Sequence, residues 1–205
     1  MNFHDVDAFL FDLGNVLIEV DFQRAIDHWS NFSAPINALQ FNKFLQSHHH
    51  MAFEKGHMSP AIFFEHFNNE FNRHISQEQF YAGWNKVLVK EFPGIRDLLL
   101  QCRAYVKLFC FSNTNTIHHE LWRVKFAALL APFESIFVSH ELGLRKPDED
   151  AFKAVIKRIG VAAQRLVFFD DNWENVASAD KIGLRAVHVT HIDIVHKILH
   201  ELVKR

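Results

Sequence analysis

The chain has 205 residues, with 22 lysines and arginines against 24 aspartates and glutamates, and so carries a formal net charge of −2. This balance provides no basic surface for nucleic acid or for an anionic membrane, and no apolar stretch approaches the ~20 residues that span a bilayer. The N-terminus lacks the basic segment and apolar run of a secretory signal. We therefore expect a cytoplasmic protein that acts on a small molecule, and we expect Cys102 and Cys110 to be buried free thiols.

The first predicted strand, residues 8–11, is entirely apolar and runs into Asp12. Gly14, two residues further on, allows the chain to bend. A carboxylate at the end of a buried strand and beside a bend is positioned for chemistry, although such an acid is also often a helix N-cap.

A helical block follows the first strand and contains no predicted strand. The apolar spacing and the start signals predict helices over residues 22–31, 36–48, 59–71 and 76–87. In the second of these helices we expect Leu39, Phe41, Phe44 and Leu45 to face inward. A helical insert at this point of the chain would lie above the strand ends and cover them, as lids do. We therefore predict a cap domain over residues 19–91.

Strands and helices alternate in the rest of the chain. Helices are predicted over residues 95–103, 117–130, 147–160 and 173–182, followed by a C-terminal helix. Strands are predicted over residues 105–111, 135–138, 165–169 and 185–189. This alternation is typical of an α/β protein with a doubly wound parallel sheet. The predicted core domain comprises residues 1–18 and 92–205.

Polar side chains follow three of these predicted strands or lie near a helix start. Asp170 and Asp171 end one strand, Ser112 and Asn113 end another, and Lys146 comes just before a predicted helix. Ligands of open parallel sheets bind beyond the carboxyl ends of the strands. These side chains and Asp12 are therefore expected to meet at one site.

Four short segments, 12–16, 112–115, 145–147 and 168–172, carry a resemblance to a known family. Their sequences are Asp-Leu-Gly-Asn-Val, Ser-Asn-Thr-Asn, Arg-Lys-Pro and Phe-Phe-Asp-Asp-Asn. In this order they resemble the four motifs of the haloacid dehalogenase-like hydrolase superfamily, over nearly the whole chain. Within the superfamily these segments together resemble the bacterial sugar-phosphate phosphatases similar to α-D-glucose-1-phosphate phosphatase, and more distantly the phosphatase domain of soluble epoxide hydrolases.

The resemblance implies a Rossmann-like core and a phosphatase that uses Mg²⁺. Asp12 would bind the metal through one oxygen and attack phosphorus with the other, forming an aspartyl-phosphate. Asp171 and the backbone carbonyl of Gly14 would complete the metal site. Asp170 would orient the site or its waters, and Asn175 would hold Asp171 or a bound water.

Three further residues are expected to contact the phosphoryl group. Lys146 offers a compact positive charge to its oxygens and to Asp12. Ser112 and the backbone amide of Asn113 can donate hydrogen bonds to it, and preorganised donors of this kind lower the barrier.

Gly14 stands where most phosphatases of the superfamily carry a second aspartate that protonates the leaving group. The resembled subgroup also has glycine there, so the resemblance implies that activity is retained. Asp21, His118 or a metal-bound water could replace the acid, although Asp21 also suits the N-cap of the helix that begins at Phe22.

The loop over residues 53–58 is predicted to select the substrate. It connects two cap helices, and Lys55 and His57 in it could bind the hydroxyl groups of a sugar phosphate. The alternative interpretation is an exposed interhelical turn.

Two other functions fit part of the sequence. A haloacid dehalogenase would also use Asp12 and lack the second acid, but it needs no Mg²⁺, and the adjacent acids Asp170 and Asp171 favour a cation site. A non-catalytic binding protein could also keep the pocket, although the presence of Asp12, Lys146 and Asp171 together argues against that interpretation.

Overall fold

The computed structural model describes residues 3–204, and within this range the chain forms seven strands. They are Ala8–Phe11 (β1), Ile18–Val20 (β2), Leu88–Glu91 (β3), Lys107–Ser112 (β4), Ser135–Val138 (β5), Leu166–Asp170 (β6) and Arg185–His188 (β7). Five of them form a parallel sheet in the order β5-β4-β1-β6-β7, and β2 and β3 form a separate antiparallel pair.

Helices account for most of the remaining described chain. In the helical insert they are Gln23–Ser30 (α1), Ala38–Leu45 (α2), His48–Glu54 (α3), Pro60–Glu70 (α4) and Gln77–Asn85 (α5). Beyond β3 they are Ile95–Cys102 (α6), Thr116–Lys125 (α7), Ala127–Leu130 (α8), Ser139–Leu142 (α9), Glu149–Ile159 (α10), Trp173–Lys181 (α11) and Ile192–Val203 (α12). No helix within residues 3–204 is both long enough and apolar enough to cross a membrane.

The central strand β1 is buried on both faces of the sheet. Its side chains alternate, so Phe9 and Phe11 pack into one hydrophobic cluster and Ala8 and Leu10 into another. The first cluster includes residues of α6 and α12, and the second includes residues of α10 and α11. Helices therefore cover both faces, which confirms the predicted doubly wound α/β sheet.

The first difference from the prediction is the pair of strands β2 and β3 at the two ends of the helical insert. Ile18 lies opposite Glu91, and Val20 lies opposite Leu88. The prediction of a strand-free block was wrong here because each strand has only three or four residues. Strands this short carry little alternation, and their pairing partner is distant in the chain.

The second difference lies in the predicted helix over residues 36–48, which is two helices. α2 ends at Leu45, and α3 begins after Ser47, whose hydroxyl accepts a hydrogen bond from the backbone N–H of His50. Phe41 is buried as expected, but Leu39 is 65% exposed. Phe41 and Phe44 lie on the face of α2 that meets the aromatic core, and the helical period places Leu39 on the opposite face.

The helical insert shares one hydrophobic cluster with a face of the sheet. Trp29 of α1 stacks on Phe80 of α5 with ring centroids 5.5 Å apart, and its indole N–H donates to the Phe80 carbonyl. Trp84 of α5 stacks in turn on His118 of α7, 5.1 Å away. These contacts join the insert to the helix that follows β4.

Cys102 and Cys110 are both buried and free, as the sequence predicts. Burial raises the pKa of the Cys102 thiol to about 12. Both cysteines therefore behave as small apolar side chains of the core.

We predict that Gly83→Ala destabilises the protein, although alanine favours a helix by about 1 kcal/mol over glycine. A Cβ at Gly83 in α5 would lie 2.6 Å from Cε2 of Trp29, which is itself fully buried. We expect a loss of about 1–3 kcal/mol in the free energy of unfolding. Urea denaturation measures it, with Ala82→Ser at the exposed neighbouring position as the control. A variant as stable as the parent, or more so, would show that the indole moves aside at no cost.

Candidate active site

The carboxyl ends of three adjacent strands form one polar site in the middle of the main sheet. β1 pairs with β4 on one side and with β6 on the other. Asp12 directly follows β1, Ser112 ends β4 and Asp170 ends β6. The strand order reverses at β1, and ligands of open α/β sheets bind at such switch points. The structure thus brings together the acids that the sequence places at distant strand ends.

Lys146 reaches this site from the loop between α9 and α10. Its ammonium group lies 2.7 Å from Oδ1 of Asp12 and 2.6 Å from Oδ2 of Asp170, and the side chain is 1% exposed. Asn113 fixes the lysine backbone, because its amide accepts from the Lys146 N–H at 2.9 Å and donates to the Lys146 carbonyl at 2.8 Å. The side chain of Asn113 therefore positions Lys146, which leaves its backbone amide as the group that could contact a ligand.

Burial and charge act against each other in this pair. Burial raises the pKa of Asp12 to about 7, and the charge of Lys146 opposes that rise. Burial alone would lower the pKa of Lys146, but Asp12 and Asp170 raise it above its ordinary value. Positive charge beside Asp12 therefore favours the ionised carboxylate, which is the nucleophilic form.

Asp170 has both carboxylate oxygens engaged by the protein. Oδ2 accepts from Lys146, and Oδ1 accepts from the backbone N–H of Asn172 and the side-chain amide of Asn175, both at 2.9 Å. Asp170 is completely buried. The expectation that Asn175 holds Asp171 is corrected here, since Asn175 donates to Asp170 and so fixes the carboxylate that holds Lys146.

Asp171 is the more open of the two adjacent acids. Its Oδ2 accepts a hydrogen bond from Asn15 at 3.1 Å, and Asn15 adopts a left-handed backbone conformation, with φ of 53°, that asparagine tolerates better than most residues. Burial raises the pKa of Asp171, and the hydrogen bond from Asn15 acts in the opposite direction. The carboxylate keeps an oxygen for a ligand.

The donor set of this site fits Mg²⁺. Asp12, Asp170 and Asp171 each offer a carboxylate oxygen, and these three oxygens lie within 4.8 Å of one another. Mg²⁺ binds through one or two carboxylates and waters. Three carboxylates beside the single ammonium group of Lys146 also leave an excess of negative charge that one divalent cation balances. Asp12 and Asp171 are the ligands available, because both oxygens of Asp170 are already engaged.

Gly14 and Ser112 both line the cavity above Asp12. A Cβ at Gly14 would lie 3.9 Å from Oδ2 of Asp12 and 3.2 Å from Cγ2 of Val20. A side chain at this position would therefore point close to the nucleophilic carboxylate. Ser112 is buried, with its hydroxyl at the end of β4.

The cavity has a volume of about 290 Å³ and extends from the strand ends to the helical insert. Its strand-end part is polar. Its far part is lined by residues of the insert and of α7, which include Phe22, Leu45, His50, Glu54, His118 and Trp122. The site thus lies between the sheet and the insert.

Lys55 and His57, the residues predicted to bind a sugar, do not line this cavity. Lys55 forms an ion pair with Asp148 at 2.8 Å, and His57 is exposed. The loop is shorter than predicted because α3 continues to Glu54. The structure therefore does not bring these two residues into the site.

His50 and Glu54 of α3 line the cavity instead, and the sequence analysis missed them. Both are 8% exposed. Glu54 accepts from Arg145 at 2.8 Å, and Nδ1 of His50 lies 4.0 Å from Glu54. The available signal was their i,i+4 spacing, which places both side chains on one face of a helix.

Neither candidate side chain for the missing acid is suited to that role. Asp21 accepts from the backbone N–H of Gln23, the first residue of α1, and lies outside the cavity lining. The helix begins one residue later than predicted, so Phe22 occupies the N-cap position and Asp21 precedes it. Both ring nitrogens of His118 are engaged, by Asn115 and by the Trp84 carbonyl. Burial lowers the pKa of His118 to about 4, so the ring is neutral near pH 7.

Three similar proteins illustrate the resemblance. A drimenol cyclase of Aspergillus calidoustus is 29% identical over 190 residues, which are 89% of this chain and 34% of that protein. The chain thus spans about a third of that fungal relative. A D-ribitol-5-phosphate phosphatase of Bacteroides thetaiotaomicron is 22% identical over 85% of this chain and 87% of the relative. A HAD family enzyme of the same bacterium, solved with magnesium and inorganic phosphate, superposes with a TM-score of 0.77 at 29% identity, over 89% of this chain and 93% of that one.

One protein family matches most of the chain. The model of the haloacid dehalogenase-like hydrolases matches residues 6–183, which contain all four motif segments and the whole helical insert. With the fold and the strand-end site described above, this match shows that the chain belongs to the haloacid dehalogenase-like hydrolase family.

Proposed function

We propose that this chain is a Mg²⁺-dependent phosphatase that hydrolyses a small phosphomonoester. The observation that carries the proposal is the 2.7 Å contact of Lys146 with Asp12, beside the free carboxylate oxygen of Asp171. A nucleophile, its counter-charge and a cation ligand meet there at the switch point of the sheet. The ribitol-phosphate phosphatase and the neighbour that holds magnesium and phosphate support the proposal.

In the first proposed step, a carboxylate oxygen of Asp12 attacks phosphorus. A bond forms between this oxygen and phosphorus, the bond from phosphorus to the alcohol oxygen breaks, and the leaving oxygen takes a proton from water. The Ser112 hydroxyl and the backbone amide of Asn113 donate hydrogen bonds to the phosphoryl oxygens, and Lys146 balances their charge.

In the second step, water attacks the phosphorus of the aspartyl-phosphate and gives a proton to the hydroxide that the first step left. The bond to Asp12 breaks, its carboxylate is regenerated and inorganic phosphate leaves. Mg²⁺ held by Asp12, Asp171 and the Gly14 carbonyl would neutralise charge on the phosphoryl oxygens in both steps. Asp170 and Asn175 act through Lys146, whose ammonium group they hold in place.

We also propose that residues 19–91 act as a cap on a core formed by residues 1–18 and 92–205. The insert supplies the far wall of the cavity. A wall of this kind excludes water from the phosphoryl group and contacts the alcohol part of the substrate. A small phosphorylated metabolite is the expected partner, a sugar phosphate is the prediction from the sequence, and a cytoplasmic location stays a prediction.

Asp12→Asn is predicted to lower the turnover of p-nitrophenyl phosphate by on the order of 10⁴ or more, because an amide is a poor nucleophile. Asp21→Asn is the matched control, since Asp21 is a partly exposed carboxylate that precedes α1 and lies outside the cavity. It should keep nearly the parent rate. Substantial turnover by Asp12→Asn would remove this residue from the proposed role.

Changing Asp171 to asparagine is predicted to affect Mg²⁺ dependence, whereas changing Asp170 to asparagine is predicted to affect stability. Asp171→Asn should fold like the parent but need a higher Mg²⁺ concentration for half-maximal activity, because a ligand charge is lost. Asp170→Asn should lower the free energy of unfolding in EDTA by about 3–5 kcal/mol, because Lys146 loses a buried partner. Thermal unfolding and Mg²⁺ titration measure the two effects. Full activity of the parent in EDTA would contradict the metal dependence and favour a dehalogenase-like site.

Gly14→Asp is predicted to speed the hydrolysis of alkyl phosphates, which need a protonated leaving group, and to leave aryl phosphates nearly unchanged. A well-placed acid is worth up to about 10² to 10⁴ in rate. Since the new Cβ would lie 3.2 Å from Val20, the experiment uses Gly14→Asp with Val20→Ala. Val20→Ala alone is the control, and ethyl phosphate and p-nitrophenyl phosphate are the substrates. Equal effects on both substrates would mean that the acid role is already filled.

A further inference from the structure

The far part of the cavity is built mainly of apolar side chains. They come from β2, from the helical insert and its flanks, and from α7, and are Ile18, Val20, Phe22, Leu45, Val87, Leu88 and Trp122. A polyhydroxylated substrate would place several hydroxyl groups against this wall without partners. Burying an unpaired hydroxyl group costs about 1–3 kcal/mol.

The polar side chains of this part of the cavity are already hydrogen-bonded to the protein. The amide of Asn115 accepts from the His118 backbone N–H and donates to its ring at 3.2 Å, and the other ring nitrogen pairs with the Trp84 carbonyl. The hydroxyl oxygen of Thr114 accepts from the indole N–H of Trp122. Asn115 and His118 are therefore poor candidates for recognising sugar hydroxyls, and Thr114 keeps its hydroxyl proton for one partner.

Two titratable side chains of the insert line the cavity, Glu54 and His50. Oε2 of Glu54 accepts from Arg145 at 2.8 Å, which leaves Oε1 as an acceptor, and the side chains of this pair are 11% and 19% exposed. Nδ1 of His50 has no hydrogen-bond partner within residues 3–204. These two atoms belong to one helix and can bind one or two hydroxyl groups, fewer than the several hydroxyls of a sugar.

The cavity is at the small end of the range of ligand pockets. Its volume is about 290 Å³, and such pockets measure about 300–1,000 Å³. This size favours an alcohol with few atoms.

We propose that the substrate is the phosphate monoester of a small apolar alcohol, and that the apolar wall over Asp12 selects it against sugar phosphates. This inference rests on the proposed phosphatase function. It deepens that function, because the strand-end groups recognise the phosphate whereas the wall recognises the alcohol.

The test compares pentyl phosphate with ribitol 5-phosphate, which share a five-carbon chain and a terminal phosphate and differ only in hydroxyl groups. We expect kcat/KM for pentyl phosphate to be about 10² higher or more, the ratio with which an apolar pocket rejects an added hydroxyl. p-Nitrophenyl phosphate is assayed in parallel with Mg²⁺. Turnover of p-nitrophenyl phosphate together with equal or better use of ribitol 5-phosphate would overturn the inference while leaving the phosphatase function intact.

Binding to the Asp12→Asn variant tests the inference even if no ester is hydrolysed. Calorimetry with Mg²⁺ should give a dissociation constant at least about tenfold lower for pentyl phosphate than for ribitol 5-phosphate. Equal affinities, or tighter binding of ribitol 5-phosphate, would overturn the inference. Loss of turnover in the parent with this affinity difference preserved would instead count against the phosphatase function alone.

Two matched variants test whether the apolar wall determines the preference for pentyl phosphate. Leu45→Gln places an amide in the cavity, and we expect it to lower the ratio of kcat/KM values by about tenfold or more. Leu39→Gln makes the same change in the same helix at a side chain that is 65% exposed and outside the cavity, and it should leave the ratio unchanged. Val20→Thr, of nearly equal shape, repeats the test should Leu45→Gln fold poorly. An unchanged ratio in both wall variants would overturn the assignment.

Discussion

The buried ammonium group of Lys146 holds together the parts of the site that the chain supplies from distant positions. It contacts Asp12 after β1 and Asp170 at the end of β6, while Asn113 after β4 fixes its backbone. A charge this deeply buried is stable only when it is paired and hydrogen-bonded. Removing either carboxylate would leave a buried charge short of a partner, so the same contacts that orient the nucleophile also join the ends of three strands.

This arrangement gives the adjacent acids different tasks. Both carboxylate oxygens of Asp170 accept hydrogen bonds, from Lys146, Asn172 and Asn175. Asp170 therefore holds Lys146 in place and has no oxygen left for a cation. Asp171 keeps an oxygen for a cation, because the side chain of Asn15 donates to Oδ2 and leaves Oδ1 available. The excess of negative charge at the strand ends then creates a place for a divalent cation, and that cation favours the ionised form of Asp12.

Sequence reasoning succeeded where a residue's position in a strand fixes its place in space. A parallel strand buried on both faces is a continuous apolar run, so the sequence predicts where β1, β4 and β6 end. The residues at these ends, Asp12, Ser112 and Asp170, could therefore be predicted to lie together. Sequence reasoning failed where contacts between distant segments determine the position of a residue. β2 and β3 are too short to show alternation, and the end of α3 at Glu54 moved Lys55 and His57 away from the cavity. The hydrogen bond from Asn175 to Asp170 could not be told from one to Asp171, since the two acids are neighbours in the chain.

The failures that concern the helical insert have a common physical cause that also bears on substrate choice. Positions at the strand ends are fixed by backbone pairing within the sheet, whereas the far wall of the cavity depends on how α1–α5 pack on one another and on α7. That packing is dominated by aromatic rings, such as Trp29 on Phe80 and Trp84 on His118, whose neighbours are set by shape and not by spacing along the chain. The residues that would act on the phosphate can therefore be predicted from the sequence. The residues that would contact the alcohol can be identified only from the folded structure. An insert can change its aromatic packing, and with it the wall, without disturbing the pairing that places Asp12 beside Lys146.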